Sequence, residues 1–138
     1  MTNVADVSTD NKTIAGEPVE YASTPDPVIS SNIVSIPPGG ATAWMIHPVQ
    51  PYCYVLEGTL TVEFAADGSR QTFKAGQAFL QTRTHWHRGR NDGKTPMRFL
   101  AVFVGAKGVP TILHPPSGKL VPESAQTSVT ASKSSSAA

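Results

Sequence analysis

The sequence holds a single cysteine, Cys53, in 138 residues. That excludes an internal disulfide framework and a structural zinc site built from several thiolates. Charge is also sparse: 15% of residues are Asp, Glu, Lys or Arg, nearly balanced at a formal net charge of +1. Such a balance offers no basic footprint, so neither nucleic acid nor an anionic membrane is an expected partner. No apolar run approaches the ~20 residues that a membrane-spanning helix needs. The opening stretch Met1–Asp6 has no basic n-region and no apolar h-region, so no signal peptide is read there. The expected location is the cytoplasm by default, or the periplasm for a chain whose leader was removed. The length fits one domain and is too short for a TIM barrel.

Proline and glycine are abundant instead, at 12 and 11 residues. They argue against a helical bundle and for short strands joined by turns. Composition divides the chain into three parts. Residues 1–24 are polar without sustained periodicity and read as a flexible segment, some of which is available to dock as an edge strand. Residues 25–116 read as the folded domain. Residues 117–138 form a low-complexity Ser- and Ala-rich tail, too poor in large apolar groups to offset the entropy of ordering. The folded part is small, so a homodimer is expected to help it bury surface.

Turn signals within the folded part are regular. Pro37-Pro38-Gly39-Gly40 ends a strand at Asn32–Ile36, and a second strand is expected at Thr42–His47 before Pro48. Tyr52–Leu56 and Thr59–Phe64 follow on either side of Gly58, and Leu60, Val62 and Phe64 alternate with Thr59, Thr61 and Glu63. Asp67-Gly68 marks a hairpin into Gln71–Phe73, then come Ala78–Gln81, His85–Asn91 and a long Met97–Val104. Eight or more short strands imply an all-β fold, a small antiparallel β-barrel or jelly roll.

The chemistry-bearing residues are few. Met45 and His47 share one strand face, since the side-chain period is two. Cys53 shares a face with Pro51 and Val55, while Tyr52, Tyr54 and Leu56 make the opposite face apolar too. Periodicity alone leaves open which face points inward. His87 has the parity of His85, which reads equally as a spare ligand or proton carrier at a barrel mouth and as an exposed loop histidine. Arg88 and Arg90 suit either a substrate carboxylate or phosphate or a solvated outer face. His114 reads as surface, and Glu57 as an exposed turn residue.

Pro37-Pro38-Gly39-Gly40, His47 and Tyr54–Gly58, together with Gly76, Thr82–Thr84, His87 and Asn91, resemble the two motifs of the small single-domain cupins. The resemblance covers about residues 30–105. It implies a cupin β-barrel, commonly dimeric, holding a divalent metal on three His and one Glu. Carried over by position, those ligands are Met45, His47, Pro51 and His87, so two of the four are replaced. Thr82 and Thr84 likewise stand where the second motif has proline and glycine. The resemblance places Pro51, Cys53 and Val55 inward, so the inward donors become Met45, His47, Cys53 and His87. Two imidazoles, a thiolate and a thioether are the ligand types of a blue-copper centre, and soft sulfur also favours Cu(I). Alone, Met45 reads as core filler and Cys53 as an inert buried thiol. Gln50, near the missing Glu, becomes an oxygen ligand if the strand slips by one residue.

Three functions follow. The first is a non-catalytic protein binding one transition-metal ion, copper favoured, for electron transfer with a redox partner or for copper handling. The second is a cupin metalloenzyme (dioxygenase, isomerase or lyase) that holds Fe, Mn, Ni or Zn on a reduced His-based site and acts on a small oxygenated substrate. The third is a metal-free module that binds a small-molecule ligand in the barrel.

Overall fold

The computed structural model describes residues 2–116; the tail 117–138 lies outside the described residues. The strands are β1 Pro27–Ile36, β2 Pro51–Glu57, β3 Thr59–Phe64, β4 Arg70–Lys74, β5 Ala78–Leu80, β6 His87–Arg90 and β7 Met97–Ala106. They form two antiparallel sheets, ordered β1-β7-β2-β5 and β4-β3-β6. The fold is all-β, as the turn spacing predicts. Among the described residues, no helix is long and apolar enough to cross a membrane.

The inner faces of the two sheets enclose one core containing Val55, Leu60, Val62, Phe79, Met97 and Phe103. Strand β3 supplies Leu60, Val62 and Phe64 to it, the face that its alternation marks. The opposite face of β3 is buried as well, because Arg88 and Arg90 fold over Glu63. Gly58 makes the β2–β3 corner at φ +76°, where the chain passes against Pro96 and Met97. Asp67 closes the β3–β4 hairpin by accepting the Ser69 N–H at 2.9 Å.

The expected strand at 42–47 is instead a broken edge. Its residues make isolated bridges, Ala41 to Arg90, Met45 to His87 and Ile46 to Leu113. The Thr42 hydroxyl takes the Gly89 N–H at 3.0 Å. Thr42 N–H still donates to Gly89 O at 2.8 Å, but a side chain takes the place of the main-chain acceptor for Gly89 and interrupts the ladder.

The N-terminal segment contributes more than the flexible segment or edge strand that its composition predicts. Residues 11–19 form a tight turn, with Thr13 N–H on Glu17 O and Val19 N–H on Asn11 O. This turn docks on the barrel: Ile14 N–H donates to Leu80 O, and Ile14 and Ala15 pack on the core.

Candidate metal centre

His47 follows the broken edge and His87 opens β6, and the fold turns both rings into the barrel. His47 is 5% exposed and His87 2%. Their Nε2 atoms stand 3.1 Å apart. His47 Nδ1 lies 2.8 Å from Thr111 O, and His87 Nδ1 lies 2.9 Å from His85 O. A carbonyl only accepts, so each Nδ1 carries the ring hydrogen. In the neutral rings both Nε2 atoms are then bare lone pairs pointed at one spot. Burial pulls the His47 ring down from 6.5 to about 4. Burial, and then the neighbouring His47, pulls the His87 ring down to about 3. Both rings are therefore neutral near pH 7 and cannot share a proton there.

This arrangement fits a metal ion. Two nitrogens each about 2.0–2.1 Å from one ion, at an angle near 100°, are about 3.1 Å apart. Ligating histidines characteristically donate their other N–H to a carbonyl, which fixes tautomer and ring direction.

Met45, His47, Cys53 and His87 line one cavity of about 50 Å³, together with Pro51 and Gln81. Met45 is the main-chain neighbour of His87, exchanging hydrogen bonds with it at 2.9 and 3.1 Å. Pro51, Cys53 and Val55 all face the interior, resolving the parity that the sequence leaves open. Burial pushes the Cys53 thiol up, so without a metal it is neutral. Among the described residues, no three or more His, Cys, Asp and Glu side chains form a metal-holding group. The convergence shown is the histidine pair, with the two sulfurs on the same cavity wall.

Other candidates lie elsewhere. Gln50 stays out of the cavity because its amide is bonded to the Glu20 main chain, Nε2 to O at 2.9 Å. Arg88 and Arg90 bind the Glu63 carboxylate on the outer face at 2.9 and 3.3 Å, and Arg88 covers the Trp44 ring at 4.5 Å. His85 does not line the cavity; its side chain is 47% exposed, with Nδ1 3.7 Å from Glu17 Oε2. His114 is buried, not superficial, with Nδ1 donating to Trp44 O at 3.0 Å. Glu57 is the exposed residue expected, paired with Arg98 at 3.0 Å.

Glu17 is the participant that sequence reading misses. Burial raises its carboxyl, but hydrogen bonds from Thr84, Thr82, Arg83 and Thr13 outweigh this and hold it far below the usual carboxylate range. It belongs to no motif, and its partners lie about 65 residues downstream.

The model of the family described as Cupin domain matches residues 32–103, which span both histidines. The chain is a cupin. Among solved structures, this cupin is similar to oxalate decarboxylase from Lactobacillus farciminis in its formate complex, at TM-score 0.53 and 26% identity. The match covers 62% of this chain and 26% of that one. An oxalate oxidase in complex with the substrate analogue glycolate matches at TM-score 0.51 and 26% identity, over 62% of this cupin and 45% of the oxidase. This cupin therefore spans about a quarter of the decarboxylase and less than half of the oxidase. An uncharacterized conserved protein with a double-stranded β-helix domain, from Klebsiella pneumoniae subsp. pneumoniae MGH 78578, matches at TM-score 0.51 and 24% identity. That match covers 64% of this chain and 70% of the other, and it speaks for the fold alone. No curated protein matches this cupin.

Proposed function

We propose that this cupin binds one transition-metal ion between His47 and His87, and that copper is the ion. The observation carrying the metal is the pair of bare Nε2 atoms at 3.1 Å with both Nδ1 atoms committed to carbonyls. The sulfur wall supports copper. Met45 and Cys53 border the same cavity, and among the described residues no Asp or Glu lines it. Soft donors without a carboxylate select copper over magnesium, manganese or Fe(II). A bound copper ion supplies one-electron exchange or a cargo to hand on. Here the chain orients two imidazoles toward each other in a cavity lined mostly by apolar groups.

The test is elemental analysis of untagged protein, then titration with Cu(II) watched in the visible. One equivalent with intense absorption that Cys53→Ser bleaches supports the four-residue site. Colour that survives Cys53→Ser removes the thiolate. No uptake of any transition metal overturns the proposal.

A second reading, a metalloenzyme acting on a small oxygenated substrate, has its own support. The relatives named above were captured with formate and glycolate. The cavity of about 50 Å³ beside the histidines suits a small substrate. Iron, manganese, nickel or zinc in the purified protein, with oxalate or glycolate turned over, would favour it.

We also propose a homodimer. The outer face of the β1-β7-β2-β5 sheet presents Ile29, Ile33, Val104, Tyr52 and Leu56, the first of them 72% exposed. The register sets Ile29 beside Val104 and Tyr52 beside Val102, so the patch is continuous.

A further inference from the structure

We propose that Glu17 is a positioning residue for the His47–His87 pair, acting through the loop 82–85; the inference rests on the metal-centre reading above. It draws into the centre a turn lying wholly before the matched cupin region of residues 32–103.

The loop touches both histidines. Arg83 O accepts the main-chain N–H of His47 at 2.8 Å. His85 O accepts the ring Nδ1–H of His87 at 2.9 Å. The loop therefore sets the His87 ring through the His85 carbonyl and the His47 main chain through the Arg83 carbonyl, while Thr111 O holds the His47 ring itself. Those residues lie between β5 and β6 and belong to neither strand.

What holds the loop is one carboxylate. Glu17 Oε1 accepts from Thr82 Oγ1 at 2.7 Å and from Arg83 N–H at 2.9 Å. Glu17 Oε2 accepts from Thr84 N–H at 3.0 Å and from the Thr84 hydroxyl. Bonds to an ionised acceptor are roughly twice as strong as neutral ones. The Thr82 hydroxyl has spent its only hydrogen on Glu17, so its oxygen accepts the His85 N–H at 3.4 Å. The bonds thus run without a break from Glu17 through Thr82 to the residue whose carbonyl fixes His87.

Glu17 is itself fixed. Its own turn gives it the Thr13 hydroxyl at 2.8 Å. Leu80 O, Gln71 and Arg83 Nη2 tie that turn to the barrel. Thr82 and Thr84 occupy the motif positions of proline and glycine, and each spends its hydroxyl on Glu17. The departure from the motif and the docked turn are thus one device: a loop stiffened by an added carboxylate in place of a proline.

The test is Glu17→Gln in the full chain, read two ways. In the metal-free protein, the ring nitrogens of His87 are followed by ¹⁵N NMR. Wild type shows the single Nδ1–H tautomer, and the variant shows a mixture. Affinity for Cu(II) and for Zn(II) is then measured by titration, and it falls about 10–100-fold, as when outer-shell partners of a ligating histidine are lost. An unchanged His87 tautomer and unchanged affinities overturn the proposal, even if the melting temperature drops. If wild type takes up neither ion, the metal-centre reading fails, and the metal-free ring spectrum decides the positioning role by itself. If Glu17→Gln does not fold, Thr84→Ala decides instead. It removes one hydroxyl and keeps both main-chain donors, so it gives a smaller tautomer shift in the same direction. No shift overturns the proposal.

Discussion

His47 and His87 face each other across 3.1 Å with no hydrogen between their Nε2 atoms, because each ring gives its hydrogen to a carbonyl on the other side. Replacing either ring leaves one lone pair and half a site. His47→Ala and His87→Ala should each weaken Cu(II) binding by more than about 100-fold, beyond the loss typical of an outer-shell change. Calorimetric titration measures this, with circular dichroism to confirm folding. Tight one-to-one binding by both variants would remove the pair from the site.

The same two rings make the metal-free protein sensitive to acid. Their folded values, about 4 and about 3, lie below the ordinary 6.5, so the unfolded chain binds their protons first. Stability from this source is complete above about pH 6.5 and is lost as pH falls toward 4. The slope is at most about 1.4 kcal/mol per pH unit for each ring. Glu17, held below its ordinary 4.5, adds a loss that starts only under that value. Urea midpoints between pH 8 and pH 4 should decline from about 6.5, and His87→Gln should flatten the decline. A level wild-type profile from pH 6.5 to 4.5 contradicts the assignment.

At the β2–β3 corner, a methyl on Gly58 would sit 2.7 Å from Pro96 O and 2.8 Å from Met97 Cβ, at φ +76°. Strain at this φ and overpacking each cost about 1–3 kcal/mol. Gly58→Ala should therefore lower unfolding free energy by more than about 2 kcal/mol in urea. A change within about 0.5 kcal/mol would mean that the corner opens freely.

Sedimentation of the full chain tests the proposed dimer. Ile33 is 55% exposed at the centre of β1, beside Leu100. Ile33→Lys places a charge in the patch and should convert a dimer to a monomer. Wild type that is monomeric at 100 µM sinks the pairing.

The strands from Pro51 to Ala106 were largely legible, because alternation and the Gly58, Asp67-Gly68 and Gly76 turns are local signals. The strand expected at 42–47 was not, since the Thr42 hydroxyl takes the Gly89 N–H that a continuing ladder would give to a main-chain carbonyl, and that depends on where Gly89 comes to lie. Arg88 and Arg90 remained ambiguous for the same reason: their partner Glu63 is on another strand. His114 read as surface, yet it packs under Trp44 O, 70 residues away in sequence.

The sequence by itself determined the all-β class and, through motif spacing, the resemblance to the cupins that implied an inward set of Met45, His47, Cys53 and His87, because alternation and spacing are written along the chain. Only the tertiary structure decided that two histidines meet at Nε2, that Gln50 turns away, and that Glu17 braces the loop beside them. Each of these depends on a hydrogen bond or a ring contact between segments 30 or more residues apart. Local periodicity carries no record of such contacts; they exist only once burial has closed the barrel and brought distant polar groups together.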